Sequence, residues 1–255
     1  MSQPPFRDRL QAGETVIGTF QLIDSIMVAE MVGIAGLDFV VLDQEHGPLG
    51  SETCLRLVAG AQQTGAAPIV RVRANDKPEI QRALDIGAAG VQVPQVETRE
   101  DAERAAHSAR FDPEGNRGLS PYVRAGEYWG LEEYTDKQNQ LVTLIVQVEG
   151  ERGIENIGDI LAVDGIDVVF LGPYDLSQSL GVPGNVAHPD VESHMSQVSE
   201  LARDAGVVVG TYADTPEIAR QWIDAGVQYV TVGSDGALLT NQFASVRSAV
   251  TEETD

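Results

Sequence analysis

Eight short runs of apolar and β-branched residues, each followed by a segment of helical periodicity, constrain the fold of this chain more than any other feature. The runs are Val16–Phe20, Asp38–Leu42, Pro68–Val72, Gly90–Val93, Leu141–Val148, Asp167–Leu171, Val207–Gly210 and Gln228–Val232. They are nearly continuous in Val, Ile and Leu, the pattern of parallel strands buried on both faces. Amphipathic stretches lie between and after them: Ser25–Ile34, Glu52–Gln63, Pro78–Ile86, Arg99–Ala109, Glu151–Leu161, Val191–Ala205, Pro216–Ala225 and Ala237–Ala249. Glycine recurs at the helix-to-strand joints, at Gly36, Gly87, Gly165, Gly206 and Gly226, where a left-handed residue ends a helix. This alternation predicts an α/β fold, a (β/α)8 TIM barrel forming a single domain over residues 1–255. An open dinucleotide-binding sheet would carry a glycine-rich turn after its first strand, and Gly18-Thr19-Phe20-Gln21 is not one. One connection is long: Phe111–Gln140 holds Tyr122, Tyr128, Trp129 and Tyr134. A loop of that length predicts an active-site cover or a subunit contact.

Charge excludes several functions. With 39 acidic and 17 basic residues the chain carries a formal net charge of −22. Such a surface repels nucleic acid and anionic membranes. It also suggests adaptation to high intracellular salt, where self-repulsion is screened. No apolar stretch approaches the ~18 residues that span a bilayer, and the first residues lack the apolar core of a signal peptide; a cytoplasmic protein is expected. The single Cys54 excludes an intramolecular disulfide and reads as a packed, inert thiol.

The polar residues that follow the apolar runs carry the chemistry, because the C-terminal ends of barrel strands form the catalytic face. Asp43-Gln44-Glu45-His46-Gly47-Pro48 follows the second run, Glu149 the fifth, and Gly172-Pro173-Tyr174-Asp175 the sixth. Glu149 and Asp175 are able to share a proton, to hold a hard divalent cation, or to cap the helices that follow them. Oxygen ligands without cysteine or paired histidines favour Mg²⁺ or Mn²⁺ over zinc, with Co²⁺ a third candidate. Alternation puts Arg71 and Arg73 on one face, towards the barrel interior or mouth. A buried Arg71 needs an anion, either Asp43 or Asp85, or else it serves a substrate carbonyl or enolate oxygen. His46 stands three residues after Asp43, and a carboxylate orienting an imidazole makes an acid/base pair. His107, His188 and His194 read as surface or capping residues. Lys77 and Lys137, the only lysines, end no strand, so Schiff-base chemistry is excluded. No Gly-x-Ser-x-Gly elbow is present.

Taken together, these motifs resemble the HpcH/HpaI family of metal-dependent pyruvate aldolases. The resemblance runs from Gly18 to about Ala244. It includes Gly36-Leu37-Asp38-Phe39-Val40, the Asp43–Pro48 segment, Val70-Arg71, Asn75-Asp76, Leu84-Asp85-Ile86-Gly87-Ala88, Val93-Pro94-Gln95-Val96, Gly115-Asn116-Arg117-Gly118, Gln147-Val148-Glu149 and Gly172–Ser177. It implies a barrel lyase that cleaves a 4-hydroxy-2-keto acid to pyruvate and an aldehyde. The resemblance gives Glu149 and Asp175 the divalent metal, Arg71 the enolate oxygen and His46, paired with Asp43, the protons. Glu45 is expected to orient a water beside the metal and Asp85 to support the site. The backbone of Gly172, Pro173 and Tyr174 is expected to receive the substrate carboxylate. Gln44 and Gln95 are read as mouth residues bearing on the aldehyde. A 2-keto-3-deoxy sugar acid and 4-hydroxy-2-oxoheptanedioate are both open as the acid substrate, and the resemblance implies a homo-hexamer with exchanged C-terminal helices. Decarboxylation of oxaloacetate, citryl-thioester cleavage and a non-catalytic keto-acid-binding barrel are the competing expectations.

Overall fold

Every apolar run becomes a strand, and each strand's inward residues alternate with outward ones that meet the helices. A computed structural model describes residues 4–130, 132–186 and 188–251. Its strands are β1 (Val16–Gln21), β2 (Phe39–Asp43), β3 (Ala67–Arg71), β4 (Gly90–Val93), β5 (Thr143–Val148), β6 (Val168–Leu171), β7 (Val208–Ala213) and β8 (Tyr229–Ser234). All pair in parallel with their sequence neighbours, and β8 pairs with β1 to close the barrel. Gly36, Gly87, Gly165, Gly206 and Gly226 all have φ between 71° and 96°, the left-handed conformation that ends each helix.

Around the barrel lie α1 (Phe6–Gln11), α2 (Ile26–Ile34), α3 (Ser51–Gln63), α4 (Lys77–Asp85), α5 (Arg99–Ala109), α6 (Tyr134–Leu141), α7 (Glu151–Glu155), α8 (Ile157–Leu161), α9 (Pro173–Ser179), α10 (Pro189–Asp204), α11 (Pro216–Asp224) and α12 (Asp235–Thr251). The single helix expected over Glu151–Leu161 is two, α7 and α8. Asn156 breaks it by donating from Nδ2 to the carbonyls of Glu97 and Arg152, a side-chain competitor for the helical ladder. The fifth strand begins at Thr143 rather than Leu141, which instead closes α6.

The barrel interior is filled by Phe6, Phe20, Phe39, Ile69, Ile145, Phe170 and Tyr229, among others. Phe39 stacks on Tyr229 at 4.2 Å between ring centroids, and Gly18 makes room for it, since a Cβ there would lie 2.5 Å from the Phe39 ring. Helix α1, invisible as a separate element in the sequence, plugs the end of the barrel where strands begin, with Phe6 5.6 Å from Phe39.

The connection 111–140, within which residue 131 lies outside the described residues, does not cover the mouth of its own barrel. It packs on the ends of α3 and α4 remote from the mouth: Arg124 donates to Ile86 O and Gln62 Oε1, and Gly118 N donates to Gln81. Helix α12 is anchored at its first residue, where Asp235 accepts from Leu22 N and Ile23 N, and then projects away from the barrel. From Ala237 to Thr251 its side chains are exposed, including Phe243 at 69% and Val250 at 80%. Among the described residues no helix is long and apolar enough to cross a membrane.

Candidate active site at the barrel mouth

Strand register, not local spacing, assembles the first part of the site. Inward alternation along β2 (Phe39, Val41, Asp43) and β3 (Ile69, Arg71) brings Asp43 and Arg71 side by side, and they are register partners. Arg71 Nε donates to Asp43 Oδ1 at 2.9 Å and Nη2 to Oδ2 at 2.7 Å, both ends of this fork buried. Beneath, the Phe20 ring lies 4.6 Å from the guanidinium carbon. Burial opposes the Arg71 charge, but Asp43, Glu45 and Glu149 outweigh it and hold its pKa above the ordinary value. Of the two anions open to Arg71, Asp43 is therefore the partner. Arg73, by contrast, lies beyond the end of β3, largely exposed and paired with Glu79, so alternation does not carry it inward.

The expected Asp43–His46 pair is not formed. Asp43 is committed to Arg71 and also accepts from the backbone N–H groups of Glu45 (3.0 Å) and His46 (3.3 Å). Its carboxylate thus shapes the turn instead of orienting the imidazole. The His46 ring projects into the mouth, 68% exposed, with Glu45 Oε2 4.0 Å from Nε2. Gln44 is buried and donates to Cys54 Sγ at 3.4 Å, which removes it from the mouth. Burial, ahead of a lowering contribution from that bond, pushes the Cys54 thiol up to about 11, as befits a packed, inert thiol.

Glu149 and Asp175 converge from β5 and the start of α9. A Cβ on Gly172 would lie 3.2 Å from Glu149 Oε2 and 3.7 Å from Asp175 Oδ2, so glycine is what lets the two carboxylates share this corner. Neither caps a helix: the N-caps of α7 and α9 are Gly150 and Gly172, and neither makes a side-chain cap bond. Two groups orient Glu149: Gln147, assigned no role by the sequence, and Gln95, expected at the mouth facing the aldehyde. Gln147, inward on the same strand, donates to Glu149 Oε2 and accepts from Gln92 Nε2 at 2.6 Å. Gln95 adopts a left-handed backbone (φ 56°) and aims its N–H at Glu149 Oε1, 3.0 Å away. Gln95 therefore serves the carboxylate through its backbone.

Electrostatically the mouth is over-supplied with carboxylates. Burial first, then Asp175 and Glu45, push Glu149 up to about 7 against the lowering effect of Gln147. Burial likewise raises Glu45, with Arg71 opposing and Asp43 and Asp175 adding to the rise. Glu45 Oε2 is buried without a hydrogen-bond donor; Arg71 Nη1 stands 3.3 Å off, outside hydrogen-bond geometry. Such a cluster suits a hard cation. Among the described residues no set of three or more His, Cys, Asp or Glu is arranged to ligate a metal. A cation here would have two protein carboxylates and take its other ligands from water and substrate, the habit of Mg²⁺.

Phe20, Leu22, His46, Arg71, Phe170, Gly172, Pro173, Tyr174 and Asp175 line a cavity of about 450 Å³ over these groups. Asp85 is not brought there within one chain. It ends α4, and a helix that follows a strand runs back to the opposite face of the barrel. There Arg117 Nη2 donates to Asp85 Oδ1 at 2.7 Å.

A model of the HpcH/HpaI aldolase/citrate lyase family matches residues 17–242. The chain belongs to this family. This HpcH/HpaI member is 37% identical over 230 residues to 5-keto-4-deoxy-D-glucarate aldolase of Salmonella paratyphi A, covering 90% of each chain. Its fold superposes with a TM-score of 0.92 on an HpcH/HpaI aldolase/citrate lyase family protein from Burkholderia cenocepacia, at 35% identity and 96% and 98% coverage. It also resembles the citrate synthase SbnG, with a TM-score of 0.89, 31% identity and 98% of each chain covered. The HpcH/HpaI member is accordingly a carbon–carbon lyase, and the retro-aldol chemistry expected from its sequence stands.

Proposed function

We propose that the protein cleaves the C3–C4 bond of a 4-hydroxy-2-keto acid, releasing pyruvate and an aldehyde, with Mg²⁺ or Mn²⁺ held by Glu149 and Asp175. The convergence of these two carboxylates at Gly172 beside Arg71 carries the reading. When bound, the cation supplies Lewis-acid stabilisation of the enolate's negative charge. Arg71, fixed in orientation by Asp43, holds the C2 oxygen as charge develops on it. Glu45 positions a water and balances the Arg71 charge. His46, exposed in the mouth, accepts the proton of the C4 hydroxyl. The C3–C4 electrons become the C2–C3 double bond, C4 leaves as the aldehyde, and C3 then takes a proton to give pyruvate. The turn at Gly172, Pro173 and Tyr174 receives the carboxylate through the N–H groups of Tyr174 and Asp175, since the first turn of a helix leaves N–H groups free, whereas Pro173 has none and that of Gly172 goes to Val148 O. Asp85 acts from outside this chain's own mouth, or not at all.

The test is pyruvate release from a panel of 4-hydroxy-2-keto acids with Mg²⁺ or Mn²⁺ and with EDTA. Release that EDTA fails to suppress refutes the metal assignment. In the same assay His46→Ala should lower cleavage about 10²- to 10⁴-fold, the range of a lost general acid/base, while Mn²⁺ binding by calorimetry stays intact. Wild-type cleavage by His46→Ala assigns the base elsewhere.

The assembly we propose is a homo-hexamer with exchanged α12 helices. The exposed stripe of Leu238, Leu239, Phe243, Val246 and Val250 on α12 supports it, as do exposed Ile26, Met27, Met31 and Ile34 on α2; a helix as apolar all round as α2 is normally covered. Phe243→Glu should shift the sedimentation profile to smaller species. An unchanged profile removes α12 from the interface.

A saline cytoplasm is the setting that the charge supports. The melting temperature should rise from 0.1 to 2 M KCl (concentrations on the order of those that shrink the Debye length from ~10 Å to below 3 Å). A flat or falling trend excludes halophilic adaptation.

A further inference from the structure

The half of the mouth cavity away from Arg71 has a chemistry of its own. At the end of β7 and the start of α9, Tyr174 donates from its hydroxyl to Asp214 Oδ2 at 2.7 Å. Tyr212 lies against Tyr174, ring centroids 6.0 Å apart. Ser234, at the end of β8, lines the same side, next to its register partner Phe20 on β1, and Leu22 lines the cavity with them. This region offers hydroxyl groups and one carboxylate to a ligand. Among the described residues no lysine lines the cavity, and its one arginine, Arg71, already has Nε and Nη2 bonded to Asp43. Burial and Asp214 together push the Tyr212 hydroxyl up to about 12, so the phenol stays a neutral hydrogen-bonding group.

We infer that the aldehyde half of the substrate is uncharged and hydroxylated, and that Tyr174, Tyr212 and Asp214 select it. The inference rests on the retro-aldol reading of the same cavity and narrows it. Asp214 is an acceptor for a substrate hydroxyl, and Tyr212 and Ser234 are able to donate or accept. A terminal carboxylate in the same place meets Asp214 with no lysine or arginine bonded to it, and like charges brought together in a partly enclosed site discriminate strongly. Of the two substrate types the sequence leaves open, this favours a 2-keto-3-deoxy sugar acid with a single carboxylate over the dicarboxylic heptanedioate. It also separates this chain from any relative whose aldehyde product carries an acid.

The experiment runs the reaction in the condensation direction, with saturating pyruvate and Mn²⁺. Glycolaldehyde and glyceraldehyde are compared with glyoxylate and succinic semialdehyde in the wild type and in Asp214→Arg. The wild type should favour the hydroxyaldehydes in kcat/KM by about ten-fold or more, the scale of a pocket mismatch. Asp214→Arg should shift that ratio at least about ten-fold towards the anionic aldehydes; comparing ratios between enzymes cancels the aldehydes' intrinsic reactivity. A wild-type preference for succinic semialdehyde, or a ratio that Asp214→Arg leaves unchanged, overturns the inference. Mn²⁺-dependent deuterium exchange at C3 of pyruvate, measured on the wild type in D₂O, separates the two levels. Exchange without the preference removes the inference alone, and no exchange with no condensation removes the retro-aldol reading beneath it.

Discussion

Glu149→Gln should abolish metal-dependent cleavage and, at the same time, make the metal-free protein harder to melt at pH 8. Both effects have one origin. Glu149 sits at about 7 in the folded chain because burial, Asp175 and Glu45 all resist its ionisation, whereas an unfolded glutamate titrates near 4.3. Between those values the folded state binds the extra proton, so stability falls as pH rises, and above about 7 the whole penalty is present. That penalty is on the order of 3 kcal/mol. Glutamine removes the charge and sacrifices part of the bonding with Gln147 and Gln95, worth about 1 kcal/mol per bond. The melting temperature at pH 8 should therefore rise by roughly 2–6 °C for a chain of this size, with little change near pH 5. Pyruvate release should fall at least ~10³-fold, since the change removes one of the two carboxylates assigned to the cation. Thermal melts at both pH values, with and without Mn²⁺, check this. A lower melting temperature at pH 8, or a full Mn²⁺-induced shift in the variant, would overturn the assignment.

Arg71→Lys should be almost as damaging, although the charge is kept. The guanidinium fork engages both oxygens of Asp43 and faces Glu45 while resting on Phe20. An ammonium reaches one of these partners at a time and cannot present a planar fork. Leaving a buried carboxylate under-bonded costs about 2–3 kcal/mol, visible as a lower urea midpoint with unchanged slope. Catalysis should drop further, by ~10²-fold or more in kcat, because the donor aimed at the developing enolate oxygen is lost. Near-normal turnover in a destabilised variant would make Arg71 a purely structural residue. Comparing the urea midpoint with kcat on the same preparation separates the two roles.

Much of this was legible before any coordinates. Buried parallel strands are spelled by short Val/Ile/Leu runs, and glycine punctuates the helix ends, so the closed barrel follows from the pattern. Glu149 and Asp175 stood out because they follow the fifth and sixth runs, where proton sharing, a hard cation or helix capping were the open readings. The partner of Asp43 was legible only as one of two readings, Arg71 or His46. Its nearness in sequence to His46 suggested a local pair, whereas the decisive neighbour, Arg71, arrives through the β2–β3 register 28 residues away. Gln92 and Gln147 were missed for the same reason: amides within apolar runs carry no signal until two strands align them. The detachment of α12 was hidden too, since an apolar stripe looks the same whichever barrel it packs on.

The two ends of the mouth are tied into the protein very differently. Around the enolate end, Asp43, Arg71, Gln92, Gln147 and Glu149 are mostly buried and bonded in two sets, one across β2 and β3 and one across β4 and β5. A change to one leaves another unsatisfied, so drift there meets immediate resistance. At the aldehyde end, Tyr174 and Asp214 are exposed and share a single bond across the rim, a feature worth no more than about 1 kcal/mol to the fold. Substitutions at these two positions are nearly free of folding consequence. Descendants of this barrel can therefore exchange one aldehyde for another by small steps at the rim while inheriting the carbon-bond chemistry intact.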